Sequence, residues 1–183
     1  VHSSVAAWIA GTLDRAELAG ADVLEVGSRS VNGSVRPRLL SLGPASYVGV
    51  DKVRGRYVDQ LVDVVDLVYR FDVEAFDLVV STEMLEHVDD WRAAVAQMVA
   101  VARIGGLILI TTRSEGFPYH PHPVDRWRFS VEQMGRIVEA VGCEALDLRP
   151  DPEYPGVFVK ARRIASLPGG GLDELDVGVA PRR

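Results

Sequence analysis

The sequence predicts an α/β fold, with a mostly parallel sheet covered by helices on both faces and a last strand running antiparallel. Short apolar runs alternate with helix-period patterns from residue 21 to residue 142. The runs ADVLEV, FDLVV and LILIT (21–26, 76–80 and 107–111) are nearly continuous, as strands buried on both faces are. The chain then changes pattern to helix, strand, turn, strand, with Asp151-Pro152 and Pro155-Gly156 as turn chemistry.

Taken in order, Val5, Trp8, Ile9, Leu13 and Leu18 mark one face of a helical extension over residues 1–20. Ala21–Val26 is the first strand and stops at Gly27. Val35, Leu39, Leu40 and Leu42 recur at helical spacing, with Pro37 suited to the first turn and Gly43 to the stop. Tyr47–Val50 is a strand ending at Asp51, Tyr57–Val62 a weaker one, and Phe76–Val80 a fourth. Asp89 or Asp90 caps a helix with Trp91, Ala94, Val95, Met98 and Ala102 on one face, ended by Gly105-Gly106. Leu107–Thr111 is the fifth strand. Ser130 with Gln133 three residues on is a capping box, opening a helix that carries Val131, Met134, Ile137, Val138 and Val141 and closes at Gly142. Ala145–Leu148 and Val157–Ile164 are the final strands. Residues 1–165 form one domain, and the tail 166–183, with Pro168 and three consecutive glycines, is expected to be mobile and without chemistry.

A length of 183 residues fits one domain at roughly 150 residues per domain. With 48% hydrophobic and 25% charged residues, the composition is that of a soluble globular protein. Twenty Lys+Arg against 26 Asp+Glu leave a net charge of −6, which disfavours general affinity for phosphate backbones, so no nucleic-acid partner is expected. No stretch approaches the ~20 apolar residues of a membrane span. Residues 1–20 lack the basic flank and long apolar run of a secretory signal. Cys143 is the only cysteine, which excludes an internal disulfide or a multi-cysteine zinc site; it is expected to be a core residue in a cytoplasmic protein.

Open parallel sheets bind ligands outside the carboxyl ends of their strands. The residues at those positions are Glu25-Val-Gly27-Ser28-Arg29, Asp51-Lys52, Asp63, Ser81-Thr82-Glu83 and Thr112-Arg113-Ser114. Gly27 and Gly33 suit close backbone approach or an ordinary turn. The dinucleotide fingerprint G-x-G-x-x-G is absent, since positions 29 and 32 are Arg and Asn, which disfavours nicotinamide or flavin binding. A carboxylate at Asp51 suits ribose hydroxyls, the alternative being a cap or a surface charge. Asp63 suits an exocyclic amine such as that of adenine, or is a solvated charge.

Four segments occur together: Val23-Leu-Glu-Val-Gly27, Tyr47-Val-Gly-Val-Asp51, Asp63-Val-Val-Asp-Leu67 and Phe76-Asp-Leu-Val-Val-Ser-Thr-Glu-Met-Leu-Glu-His-Val88. In these, in their order and in the final hairpin, the chain resembles the class I S-adenosylmethionine-dependent methyltransferases of the small-molecule, type 11-like kind, over roughly residues 20–165. The resemblance implies a Rossmann-like three-layer sandwich with a seven-stranded sheet. It implies that S-adenosylmethionine is the cofactor and S-adenosylhomocysteine the product. The methionine part would pass the turn at Gly27 between Glu25 and Ser28, Asp51 would meet the ribose, and Lys52, Asp63 and Val64 the adenine. Thr82 and Glu83 would lie near the methionine end. One departure is the loop Gly27-Ser-Arg-Ser-Val-Asn-Gly33, longer and less glycine-rich than is usual in the family.

A second constellation, Pro118-Tyr-His120-Pro-His122-Pro-Val-Asp125-Arg-Trp127-Arg128-Phe129, follows the fifth strand and is stiffened by three prolines. His120 and His122 suit a general base, and Asp125 suits either orienting one of them or taking the proton itself. Trp127 suits an apolar wall, Arg128 an anionic acceptor group, and His87 and Arg113 complete the expected acceptor pocket. The bland reading has Trp127, Arg128 and Phe129 anchoring the loop. His87, His120 and His122 together would suit a divalent metal, but no cysteine supports it and the methyl donor needs none, so no metal is expected. The expected activity is O- or N-methylation of a small molecule of glycan or natural-product type. The alternatives are a cofactor-binding module without turnover, or a nicotinamide enzyme. Little chain remains for a separate substrate domain, so the acceptor meets the 113–129 loop and the N-terminal helix, or a second subunit, in which case a homodimer is expected.

Overall fold

The computed structural model describes residues 1–122, 124–167 and 171–181. Pro123, one of the loop prolines, lies outside the described residues, as do 168–170 and 182–183 of the tail. In chain order the elements are α1 (Ser3–Thr12), α2 (Arg15–Leu18), β1 (Asp22–Val26), α3 (Arg36–Leu40), β2 (Ser46–Asp51), β3 (Gln60–Leu61), α4 (Leu67–Phe71), β4 (Phe76–Thr82), α5 (Trp91–Val101), β5 (Ala102–Arg113), β6 (Trp127–Arg128), α6 (Val131–Ala140), β7 (Cys143–Pro150), β8 (Gly156–Arg163) and β9 (Gly178–Val179).

Seven strands form one sheet in the order β3-β2-β1-β4-β5-β8-β7, and β6 pairs with β9 separately. The pairs among β1 to β5 are parallel, whereas β8 is antiparallel to both β5 and β7. This is the Rossmann-like, seven-stranded arrangement expected. Strand order reverses between β1 and β4, which opens a crevice at their carboxyl ends.

Alternate residues of the central strands feed two cores. Val79, Ile108, Ile110 and Val159 pack with Trp91, Val95 and Met98 of α5 and Met134 and Ile137 of α6. Leu78, Val80, Leu107, Leu109 and Phe158 pack with Val5, Trp8 and Ile9 of α1 and Leu39 of α3. Trp8 stacks on Phe158 at 4.9 Å and donates its indole N–H to Asp147 at 2.9 Å, so the N-terminal helix is part of the domain. Cys143 is buried. No helix of the described residues is long and apolar enough to cross a membrane.

Three local expectations change. The helix ends at Val101, and Gly105-Gly106 belong to β5, where Gly105 adopts φ +86° and the register against β4 slips between Phe76 and Leu78. Ladder pairing along 57–62 shrinks to Gln60–Leu61, because the Asp59 carboxylate takes the Gly49 N–H at 2.7 Å and Arg36 at 2.8 Å. The described part of the tail is packed rather than loose: Leu172, Leu175 and Val177 lie half-buried against the core, and Gly178–Val179 pair with Trp127–Arg128. Arg92 donates to the Leu172 and Leu175 carbonyls, and Gln133 to Asp176. Its glycines obscure an apolar stripe long enough to cover the ends of α5 and α6.

The capping box forms as expected: the Ser130 hydroxyl accepts the Gln133 N–H at 3.1 Å and the Gln133 side chain accepts the Ser130 N–H at 2.7 Å. Ser130→Ala is expected to lower stability by about 1 kcal/mol, or roughly 2–4 °C in melting temperature. An unchanged melting curve would show that α6 is held by its buried face alone.

Candidate active site

At the end of β1 the chain turns at Gly27 with φ +76°, and a Cβ there would lie 2.7 Å from Cγ of Met84. Only glycine lets this turn pass so close to the segment leaving β4. The Gly27 and Ser28 N–H groups both donate to the Val50 carbonyl, at 2.9 and 3.0 Å, tying the turn to β2. Ser28 is buried, and its hydroxyl has no partner among the described residues. Asp51 is pinned by the Val53 N–H at 2.8 Å and the Arg29 N–H at 3.3 Å, which leaves its carboxylate lone pairs to spare. Asp63 accepts the Val65 N–H at 3.4 Å and opens the turn in which Val64 is buried. Beyond β4, Thr82 is buried and Glu83 takes a left-handed φ of +55°. These residues, with Glu25, Lys52, Gly33 and His87, line one cleft of about 460 Å³.

The loop after β5 closes the other side of the same cleft, contributing Phe117, His120 and His122. His120 is held by Asp125, whose carboxylate accepts its backbone N–H at 2.9 Å and lies 3.0 Å from its Nδ1. The Pro118 carbonyl, 3.2 Å away, is also only an acceptor, so Nδ1 carries the proton and Nε2 the lone pair. By the same argument His87 donates through Nδ1 to the Val124 carbonyl at 2.5 Å. The two rings meet edge to face at 4.9 Å.

Three expected site residues are committed elsewhere. Arg128 is 3% exposed, and its two terminal guanidinium nitrogens are held by Asp125, at 2.5 and 2.8 Å. It locks the loop and has no free face for an acceptor anion. Trp127 donates its indole N–H to the Val88 carbonyl at 2.8 Å and packs on the core, which anchors this part of the loop. Arg113 is 1% exposed, paired with Glu83 and with Asp151 at 3.5 Å, and stacked on Phe117 at 4.2 Å. Burial lowers this guanidinium to about 10 despite the Asp151 carboxylate, so it stays charged at neutral pH. Asp125 itself is unsuited to taking a proton. Burial pushes its carboxyl up, but the Arg128 hydrogen bonds, the His120 N–H and the Arg128 charge outweigh this and hold it at about 2.

Sequence reasoning missed Met84, Asp151 and above all Glu86, fully buried behind His87 and hydrogen-bonded to the Thr112 hydroxyl at 3.0 Å. The signal was a carboxylate beside a histidine just past a strand end, in a segment otherwise read only as a family motif.

Glu25 is the other unusual carboxyl. Burial pushes it up to about 7, against the Tyr47 hydroxyl that donates to it at 2.8 Å and the Arg36 charge. A pKa raised on folding favours the folded state below the unfolded value of 4.5, and that stability is lost as pH rises through about 7. The change amounts to roughly 3 kcal/mol. Melting temperatures of the ligand-free protein at pH 5 and pH 8 are therefore expected to differ by several degrees more in wild type than in Glu25→Gln. Identical pH dependence in the two proteins would contradict the assignment.

Residues 3–144 match a family model described as a methyltransferase domain. No curated protein matches the sequence. Among solved structures, the fold is shared with Burkholderia thailandensis 1,6-didemethyltoxoflavin-N1-methyltransferase bound to 1,6-didemethyltoxoflavin and S-adenosylhomocysteine; identity is 18%, coverage 89% of this chain and 80% of that one, and TM-score 0.65. An S-adenosylmethionine-dependent methyltransferase from Mesorhizobium loti is 17% identical, with 86% and 98% of the two chains covered and a TM-score of 0.65. The [4+2]-cyclase SpnF is similar to the same degree, at 17% identity, 87% and 80% coverage and TM-score 0.65. The family match spans most of the chain and agrees with the sheet order, and the chain belongs to the methyltransferase-domain family, the class I S-adenosylmethionine-dependent methyltransferases.

Proposed function

We propose that this enzyme methylates an oxygen or nitrogen of a small molecule, of glycan or natural-product type, that enters the cleft between the β4 turn and the loop after β5. The observation that carries this reading is that one cleft holds both the expected cofactor residues and the loop imidazoles. A cleft of about 460 Å³ suits a cofactor and a small acceptor better than a polymer. The bound ligand of the toxoflavin methyltransferase is a small molecule of this kind. Fold alone does not decide the reaction, since a [4+2]-cyclase shares it.

The residues present fit the cofactor. The buried Ser28 hydroxyl lacks a partner and suits its carboxylate, and Glu25, poised near 7, suits its ammonium. Asp51 has lone pairs left for ribose hydroxyls, and Lys52, Asp63 and Val64 lie around the wall expected to meet adenine. When bound, S-adenosylmethionine supplies a sulfonium methyl already activated for in-line displacement. The work of the chain is then alignment and exclusion of water. His122, exposed on the cleft wall, accepts the acceptor's proton as the new bond to carbon forms. Asp125 and Arg128 position the loop, and His120 with His87 forms its inner wall.

Thermal unfolding tests the cofactor half. Ligand at ~100 times its dissociation constant stabilises by about 2.7 kcal/mol, roughly 5–10 °C here. Such a shift is expected with S-adenosylmethionine and S-adenosylhomocysteine, absent with NAD, and largely lost in Asp51→Ala. A shift with NAD alone would overturn the reading. For the acceptor half, His122→Ala is expected to lower turnover about 10²–10⁴-fold while cofactor affinity stays within about twofold. Equal losses in turnover and affinity would remove His122 from the reaction.

A further inference from the structure

In the cleft wall formed by the β4 turn and the loop after β5 lies a cluster to which the expected cofactor contacts assign no role. Glu86, His87 and His120 each offer one ligand atom, and these atoms all lie within 4.8 Å of one another. We propose that they bind a divalent first-row transition-metal ion, such as zinc, cobalt or manganese, on the acceptor side of the cleft. Its ion binding stands by itself; its use in the reaction rests on the methyl transfer proposed above.

The geometry is that of a site short of its ion. Nε2 of His87 and of His120 lie 3.9 and 3.7 Å from Oε1 of Glu86. Ligands about 2.0–2.2 Å from a tetrahedral ion stand roughly 3.3–3.6 Å apart, so each histidine needs to approach Glu86 by only a few tenths of an ångström. Both imidazoles are already turned the right way. His87 spends Nδ1–H on the Val124 carbonyl and His120 spends Nδ1–H on Asp125, so each presents an Nε2 lone pair. Such outer hydrogen bonds, to a carbonyl or a carboxylate, are how metal-binding histidines are oriented.

An independent observation is the Glu86 carboxylate. The residue is fully buried, Oε2 accepts the Thr112 hydroxyl, and Oε1 has no hydrogen-bond partner among the described residues. A buried carboxylate oxygen without a partner is costly, and a cation between the three groups removes that cost. Two imidazoles and one carboxylate without a thiolate favour borderline divalent metals over calcium or magnesium. With three protein ligands, positions remain open toward the cleft, which His87 and His120 both line. An ion there would bind the acceptor heteroatom and make its proton easier to lose to His122. The methyl donor needs no metal, and the ion would act on the other reactant.

The test uses the untagged full chain, stripped with a chelator and dialysed separately against zinc and cobalt(II). Wild type is expected to retain about one ion per chain by elemental analysis, with visible cobalt bands of a protein-bound site. Glu86→Gln and His87→Ala are expected to weaken binding at least about tenfold, while Glu132→Gln, on the exposed face of α6, behaves as wild type. Circular dichroism identifies any variant that fails to fold, and His120→Asn then takes its place. Sub-stoichiometric binding, or binding unchanged across these variants, would overturn the proposal. The S-adenosylmethionine shift is measured on the stripped protein in parallel. A shift without an ion site sinks this inference alone, and an ion site without a shift sinks the methyl-transfer reading alone.

Discussion

The site depends first on one guanidinium sealed from water. Arg113, at the end of β5, is paired with Glu83 beyond β4 and with Asp151 in the turn before β8. Asp151 in turn accepts the Ser4 hydroxyl of α1 at 2.9 Å. Two neighbouring strand ends, the β7–β8 turn and the helix layer beneath them are thereby joined at one charge. Removing one partner of such a buried pair leaves an uncompensated ion, at a cost on the order of 3–5 kcal/mol. The pairing also accompanies the left-handed backbone of Glu83, which swings the chain out of β4 and into the short turn Leu85–His87.

From that turn the rest of this cleft wall is assembled by hydrogen bonds to backbone carbonyls. The Glu86 carbonyl accepts the Arg126 N–H at 2.9 Å, the Val88 carbonyl accepts the Trp127 indole at 2.8 Å, and His87 donates to the Val124 carbonyl. The loop after β5 is thus joined to the turn after β4, and the Asp125–Arg128 pair locks it from within. The tail adds a last layer, since the Ala180 N–H donates to the Arg126 carbonyl at 2.7 Å. The side chains proposed to act on the acceptor therefore sit on a loop whose own backbone is anchored at several points, as loops on a rigid scaffold are when they carry function.

Much of this was legible in the sequence. Continuous apolar runs identified the strands, and period-3.6 patterns with the Ser130 cap and a cap at Asp89 or Asp90 identified the major helices. Most residues expected on the cofactor side sit at or just past the end of an apolar run, where topology alone places them at the mouth of the crevice, whereas Val64 follows only from the family resemblance. The acceptor side was less legible. Arg113, Trp127 and Arg128 carry the right chemistry for a substrate pocket, but whether a charge faces a ligand or a buried partner is invisible without the partner. Asp151 lies 38 residues beyond Arg113 in the chain. The Gly105-Gly106 pair misled for a related reason: glycine ends helices and also permits the irregularity that β5 uses.

Local pattern, then, determined the strands, the helices and the line of residues at the strand ends, because periodicity and capping act over a few neighbouring residues. The left-handed Glu83, the sealed Arg113 and the meeting of Glu86, His87 and His120 were decided by the tertiary structure. Apart from the neighbours Glu86 and His87, those contacts join residues 30 or more positions apart, such as Arg113 and Glu83. Closing such separations takes the combined burial of two cores, and only after that closure does each polar group have the partner that defines its role.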